Sequence, residues 1–287
     1  LIQDNHHTEQ FMRILTGAAL GALGLALAST PALAQDKEFS GPYIGGSVGY
    51  GFQGNDAGES IEFDRDLNGT FGDTVTTAAP ANAFSPGFCN GRATSSANGS
   101  CTNDKDAIEY HARLGWDFQF GNVVVGLVAE GGKSEISDSV SGFSTTPASY
   151  TLTRELDWNA SVRARAGYAF GGKTLFYATG GPSYARINNS FTTSNVANKF
   201  SDNGKSEAWG WQAGGGVEQK IGKHLSLGVE YLYSKYEDDE YRVRAASTGT
   251  TAATNPFLLG NVNGTDFRRS DTDFDFHAIR ATAAFRF

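Results

Sequence analysis

The charged residues of this chain recur at every second position, and that spacing decides what chemistry they can do. Between residues 107 and 120 the odd positions are Glu109, His111, Arg113, Gly115, Asp117 and Gln119. The even positions are Ile108, Tyr110, Ala112, Leu114, Trp116, Phe118 and Phe120. Successive side chains of a strand point to opposite faces, so one face is ionic and the other apolar and aromatic. Residues 156–170 repeat the pattern. Asp157, Asn159, Ser161, Arg163, Arg165 and Gly167 share one side; Leu156, Trp158, Ala160, Val162, Ala164, Ala166, Tyr168 and Phe170 share the other. Glu130, Glu218, Glu230, Arg280 and Arg286 take the polar face of further segments. Acids and guanidinium groups that face one another in a closed interior must pair, because an unpaired buried charge is prohibitively costly. The expected chemistry is therefore structural: an interior ion-pair network of Glu109, His111, Arg113, Glu130, Arg163, Arg165, Glu218, Glu230, Arg280 and Arg286.

Other chemistries are weaker. His111 and His277 are the histidines available for Ser–His–acid catalysis at a lipid surface, but no nucleophile stands at a fitting spacing, and His111 falls on the ionic face. No catalytic or metal-binding residue is assigned. Gly171-Gly172-Lys173 and Gly214-Gly215-Gly216 lack the spacing and following helix of a phosphate loop, so no cofactor is expected. Cys89 and Cys101 sit in a polar segment with no His or second Cys pair beside them. In an exported protein they read as one local disulfide, worth about 3 kcal/mol in the chain-entropy model. Glu237, Asp238, Asp239 and Glu240 with Asp271, Asp273 and Asp275 are interspersed with Arg242, Arg244, Arg268 and Arg269. They read as a solvated loop, or more sharply as a lipopolysaccharide contact through shared divalent cations and phosphate-binding arginines. The Asn-x-Ser/Thr triplets at Asn68, Asn98 and Asn263 read as polar loop composition.

The elements that position these groups are strands. The chain has 287 residues, with 36 Gly and aromatics at 12 %, a composition that disfavours helices. Mean hydropathy is −0.34, and no later stretch has the 18 or more apolar residues of a spanning helix. A net charge of −8 argues against a nucleic-acid partner. Eight alternating segments emerge: 43–52, 107–120, 123–131, 156–170, 174–184, 209–221, 225–236 and 274–287. Ile44, Val48, Tyr50 and Phe52 share a face; so do Val123, Val125 and Leu127, opposite Val124, Val128 and Glu130. Trp209, Trp211, Ala213, Val217 and Ile221 oppose Gln212 and Glu218, while Leu225, Leu227, Val229, Tyr231 and Tyr233 oppose Ser226 and Glu230. Ile279, Ala281, Ala283, Phe285 and Phe287 oppose Arg280, Thr282 and Arg286. Segment 174–184 does not declare its outward face. Connections alternate long (54–106, 133–155, 185–207, 237–273) and short (Gly121-Asn122, Gly171-Gly172-Lys173, Gly222-Lys223-His224). Even strand count, alternating loop length and an apolar outer face predict an all-β fold. It is an eight-stranded antiparallel up-and-down transmembrane β-barrel with short periplasmic turns and four long external loops. Its lumen is just wide enough to be filled by side chains. Trp and Tyr at strand ends fit interfacial girdles.

Residues 12–34 read as a secretory signal peptide: Met12 and Arg13, an apolar run, then Ala32-Leu33-Ala34 as the cleavage pattern. Cleavage is expected after Ala34, and no Cys follows to make a lipoprotein. Residues 1–11 are expected to be an upstream non-native or unstructured segment, and 35–287 the barrel domain.

The runs Gly210-Trp211-Gln212-Ala213-Gly214-Gly215-Gly216-Val217-Glu218 and Gly228-Val229-Glu230-Tyr231-Leu232-Tyr233, with Tyr177-Ala178-Thr179-Gly180-Gly181 and a C-terminal Phe, carry a resemblance. They resemble the opacity-like, OmpA-barrel-like outer-membrane proteins of alphaproteobacteria, over roughly residues 41–287 with the long loops unmatched. The resemblance implies a barrel-insertion signal in Arg280, Phe285 and Phe287, with Thr282 where Gly is usual. Relatives with an appended peptidoglycan-binding domain continue past the barrel, so that function is not carried over. The expected role is a structural outer-membrane protein serving envelope integrity and surface interaction. A porin-type channel is the alternative, and an adhesin or a lipid-modifying barrel enzyme is less favoured. Expected partners are outer-membrane lipid and lipopolysaccharide, the barrel-insertion machinery and periplasmic chaperones, with the protein a monomer.

Overall fold

A computed structural model describes residues 38–54, 58–98 and 100–287; the expected signal peptide lies outside the described residues. Among those residues, eight long strands carry the fold: β1 (Gly41–Phe52), β2 (Ala107–Phe120), β3 (Val123–Ser134), β4 (Ala148–Phe170), β5 (Thr174–Thr193), β6 (Ser206–Lys220), β7 (Leu225–Glu237) and β8 (Asp273–Arg286). Each pairs antiparallel with its chain neighbours, and β1 pairs with β8 from Tyr43↔Arg286 to Phe52↔His277, which closes the cylinder. Closure removes every free strand edge from the lipid layer, where an unpaired amide has no water to bond.

The alternation places side chains as the sequence implies. Ile44, Tyr110, Phe118, Leu127, Val229 and Ile279 are exposed on the outer wall, whereas Glu109, Arg113, Glu130, Glu230, Arg280 and Arg286 are buried inside. Strand β5, whose pattern does not declare an outward face, points Phe176 outward and Leu175, Tyr177, Thr179 and Ser183 inward. Inward glycines make room for the large polar groups. A Cβ at Gly126 would lie 2.1 Å from an Asp117 carboxylate oxygen, and one at Gly115 would lie 2.4 Å from the Tyr43 ring.

Strand β4 departs from the expected alternation. Arg186 of β5 faces Trp158, yet Ile187 faces Leu156, so Asp157 is an extra residue and forms a β-bulge. The bulge inverts the parity beyond it. Leu156, expected on the lipid face, is buried inside, and Asp157, expected inside, lies beside exposed Lys133 at 3.8 Å.

The expected long loops 133–155 and 185–207 shrink, because β3, β4 and β5 continue past the lipid layer. Strand Ser137–Ser144 pairs with the outer half of β4. Strands Asn198–Asp202, Val243–Ser247, Thr265–Arg269 and Ile61–Asp64 form a separate four-stranded antiparallel sheet. The four loops thus build a folded cap. Its core contains Phe63, Phe84, Val140, Tyr150, Leu152, Val243, Phe257 and Phe267, with Phe191 and Phe200 packed against it. The lumen below also carries two apolar layers. One at the outer end includes Ile136, Leu156, Ile187, Tyr236, Phe274 and Phe276; the other, at the turn end, includes Phe39, Val124, Ala169 and Leu175.

Candidate functional site

The lumen between the two apolar layers holds two groups of paired, buried charges. Arg113 on β2 donates to Glu130 on β3 at 2.5 Å and to Glu230 on β7 at 2.9 Å. Arg163 on β4 reaches the same two carboxylates at 3.4 and 3.3 Å and donates to Gln212 Oε1 at 3.1 Å. Arg280 on β8 pairs with Glu109 and Glu130, and Tyr177 donates to Glu230 at 2.9 Å. A second group lies nearer the turns. Arg165 pairs with Glu218 at 2.8 Å and Asp117 at 3.6 Å, while Arg286 pairs with the same two acids at 2.7 and 2.9 Å. The Arg165 guanidinium lies 4.3 Å from the Tyr177 ring centroid, and that of Arg286 lies 4.6 Å from that of Tyr43. In each group the arginines match the acids in number, so neither leaves net charge in a low-dielectric space. Pairs that span β2, β3, β4, β6, β7 and β8 tie opposite walls together, leaving the cylinder filled.

Of the residues assigned to the network from sequence, nine stand in these two groups. His111 is the exception: its Nε2 meets Asn159 Oδ1 at 2.9 Å, with no carboxylate partner. Asp117, Tyr177, Gln212 and Tyr43 were missed as partners. For Asp117 the signal was present in its inward parity on β2. Outside the barrel, His277 bonds Tyr231 Oη at 2.6 Å, stacks on Phe52 and lies against the Tyr233 ring, whose hydroxyl donates to Asp275 at 2.6 Å.

The turn end of the lumen is stoppered by the segment preceding β1. Phe39 is fully buried; its amide donates to Gln119 Oε1 at 3.0 Å, and its carbonyl accepts from Arg286 at 3.1 Å. Lys220 donates to the Glu38 carbonyl at 2.6 Å and pairs with its carboxylate at 2.8 Å.

At the outer end a clamp joins barrel and cap. Arg269 pairs with Glu59 at 2.6 Å and with Asp138 at 2.8 Å. Arg154 on β4 pairs with Asp138 at 2.6 Å and donates to the carbonyls of Asp271 at 3.3 Å and Asp273 at 2.6 Å. Burial opposes the charged form of Asp138, but Arg269 and Arg154 outweigh it and hold its carboxyl below the ordinary range. Glu59 moves the other way, because burial dominates. Asp104, whose carboxylate accepts the Ser139 amide at 2.8 Å, is pushed up to about 7 by burial and then by the neighbouring charge of Asp138. The reading of this segment as a solvated loop is corrected for Arg269, whereas Arg244 and Arg268 are paired yet still partly exposed. Arg269 is buried in the clamp, Arg244 pairs with Asp266 at 2.5 Å, and Arg268 pairs with Glu62 at 3.5 Å. The loops order because their phenylalanines have a core to enter, and the charges follow.

Cys89 and Cys101 form a disulfide within the first loop, and the strand Gly87–Asn90 docks on Ser137–Ser144. Asp64, Asp66 and Asp73 bring carboxylates within 4.8 Å of one another. Asp64 accepts the amides of Asn68 at 3.0 Å and Gly69 at 2.8 Å, and Asp73 accepts that of Arg65 at 2.9 Å, so these acids serve the turn.

An apolar outer wall, a closed antiparallel ring and a charge-neutral filled lumen define a transmembrane β-barrel of the outer-membrane kind. Comparison with known families agrees: the model described as Outer membrane protein beta-barrel domain matches residues 20–287, and the chain belongs to that family. It resides in the outer membrane of a Gram-negative bacterium. The 31 kDa outer-membrane immunogenic protein of Brucella melitensis is 28 % identical over 123 residues, covering 42 % of this chain and 51 % of that protein. The 22 kDa outer membrane protein of Rhizobium leguminosarum bv. viciae is 28 % identical over 146 residues, covering 51 % and 61 %. The chain thus spans about half the length of the Brucella relative. The crystal structure of the outer membrane protein OprG from Pseudomonas aeruginosa aligns with 88 % of this chain and 99 % of that one, at 12 % identity and a TM-score of 0.47.

Proposed function

We propose that this protein is a structural, non-enzymatic element of the outer membrane: a sealed barrel that holds a rigid cap on the cell surface. The observation that carries this reading is the lumen, filled by two neutral ion-pair groups and stoppered at the turn end by Phe39. A solute channel needs a continuous water path, and here the path is occupied by guanidinium groups that bridge opposite strands. Residues 12–34 direct export, with cleavage after Ala34. The barrel-insertion machinery reads the terminal aromatic strand, periplasmic chaperones carry the chain, and the outer wall meets lipid and lipopolysaccharide as a monomer. Single-channel recording of the refolded protein in planar bilayers tests the reading. The expected trace is silent or shows only brief, small events; a stable, large conductance would replace this role with that of a pore.

A further inference from the structure

The buried acids at the outer end of the barrel are not treated alike. Glu59, Asp138 and Asp266 each pair with a guanidinium group. Asp238, which directly follows β7, is only 6 % exposed, yet it pairs with no Lys, Arg or His among the described residues. Its neighbours Glu237, Asp239 and Glu240 are all exposed, so it alone of that run turns inward. Its Oδ1 accepts from the Ser206 hydroxyl at the start of β6, and its Oδ2 is buried with no hydrogen-bond partner.

Two neighbouring oxygens are equally bare. Ser206 Oγ also accepts from the Asn189 amide nitrogen on β5 at 2.7 Å, which leaves Asn189 Oδ1 buried and without a partner. Tyr241, in the loop after Asp238, is 4 % exposed, and its hydroxyl has no partner either. Burial, then the charges of Asp202 and Asp238, hold its proton well above the ordinary range, so it remains a neutral oxygen. The charges that reach that hydroxyl are thus both acidic. Asp202 ends the strand Asn198–Asp202 at the exposed side, where its Oδ1 accepts the Gly204 amide at 2.9 Å. Buried polar atoms are rarely left bare, because each has given up its water for nothing. Here the bare atoms are all oxygens, and the charge beside them is all negative.

We propose that Asp238, Asn189 and Tyr241, with Asp202 on the open side, form a Ca²⁺ site at the seam between the third and fourth loops. An all-oxygen set without thiol or imidazole suits a hard cation. Two carboxylates balance one divalent charge, which removes the cost of an uncompensated buried acid. Ca²⁺ accepts carboxylate, amide and water oxygens in an irregular shell, whereas Mg²⁺ demands an octahedron and gives up its water reluctantly. Sites with few charged ligands hold Ca²⁺ at about 10⁻⁴–10⁻³ M, the range expected here. The bound ion joins β5 and the end of β7 to both loops, so it stiffens the cap. The inference rests on the folded cap of the proposed role and not on the sealed lumen, so a failed calcium titration and a conducting barrel are separate outcomes.

The test uses the full chain refolded in detergent micelles and stripped with EDTA. CaCl₂ and MgCl₂ are titrated separately by calorimetry, and proteolysis of the third and fourth loops is timed with and without each salt. We expect saturable Ca²⁺ binding, weaker Mg²⁺ binding, and slower loop cleavage when Ca²⁺ is present. Asp238→Asn keeps the acceptor for Ser206 but loses the charge, and should weaken Ca²⁺ by about tenfold or more. Asp202→Asn should weaken it less. Asp66→Asn combined with Asp73→Asn neutralises the acidic turn of the first loop and should leave the affinity unchanged. Each variant must keep its heat-modifiable gel shift; if Asp238→Asn does not, Tyr241→Phe, which removes only the hydroxyl, takes its place and should also weaken binding. The proposal is overturned by an absence of Ca²⁺ binding, which would leave the bare oxygens to ordered water, or by a preference for Mg²⁺. Loss of binding in the first-loop double variant, or full affinity in a folded Asp238→Asn protein, overturns it as well.

Discussion

The lumen and the cap share strands yet are built on opposite rules. Within the lipid layer, β4 sends Arg163 and Arg165 inward and Val162 and Tyr168 outward; beyond it, the same strand sends Leu152 and Leu156 inward. The inward side of β5 runs from Tyr177, Thr179 and Ser183 to Ala185 and Ile187 without any break in its alternation. What changes is the solvent outside. Where lipid covers the wall, apolar groups gain nothing by turning inward, and the interior is left to groups that can pair. Where water covers the wall, burial of apolar surface again drives folding, and the cap closes over its phenylalanines. The bulge at Asp157 lies at that change, and it lets one strand obey both rules.

This contrast can be broken from either side. The largest effect is expected inside the barrel. Glu130→Leu removes the one acid common to Arg113, Arg163 and Arg280 and leaves three guanidinium groups to two carboxylates, Glu230 and Glu109. It should cost about 3–5 kcal/mol of barrel stability, as breaking a buried pair does. Urea titration in detergent followed by tryptophan fluorescence measures that loss. In the cap, Phe267→Ala removes a fully buried ring that touches Phe63, Phe191, Phe200 and Phe257. The loss should be about 3 kcal/mol, felt by the cap alone. Loop proteolysis should accelerate while the heat-modifiable shift of the barrel persists. If the shift disappears as well, cap and barrel fold as one unit and the contrast between them falls.

The smallest effect is a pH dependence that belongs to the cap. Asp104 is pushed up to about 7 when folded, against 3.8 ordinarily, so the folded cap binds more protons than the unfolded loops between those values. Stability conferred by this group is therefore present at low pH and lost as pH rises toward about 7. Amide exchange around Ser139 should slow when pH-corrected rates are compared from pH 8 down to pH 5 (about the centre of that window), and Asp104→Asn should flatten the trend. An unchanged slope in that variant would assign the dependence to Glu59, which shifts in the same direction.

Much of the barrel was written locally. Strand β2 carries an unbroken two-residue period from Ala107 to Phe120, and its ionic and lipid faces follow from that period alone. The three short turns separated the later strands into hairpins. Most of the lumen acids and arginines were legible for the same reason, since parity assigns a face and a closed narrow cylinder forces charges on that face to meet. Parity does not assign partners. That Glu130 serves Arg113, Arg163 and Arg280 together, or that His111 turns to Asn159, depends on which side chains cross the lumen at one height.

The strand count and the inverted faces of the barrel are legible in the chain, because each rests on a period read along single segments; ring closure follows from the even strand count and the apolar outer face. The cap is not legible in this way. Phe63, Phe84, Tyr150, Phe200, Phe257 and Phe267 come from four loops with no shared period, and nothing local distinguishes such residues from isolated apolar groups in solvent. Their burial becomes favourable only when all four loops meet, and that meeting is set by a barrel that holds the loop ends together.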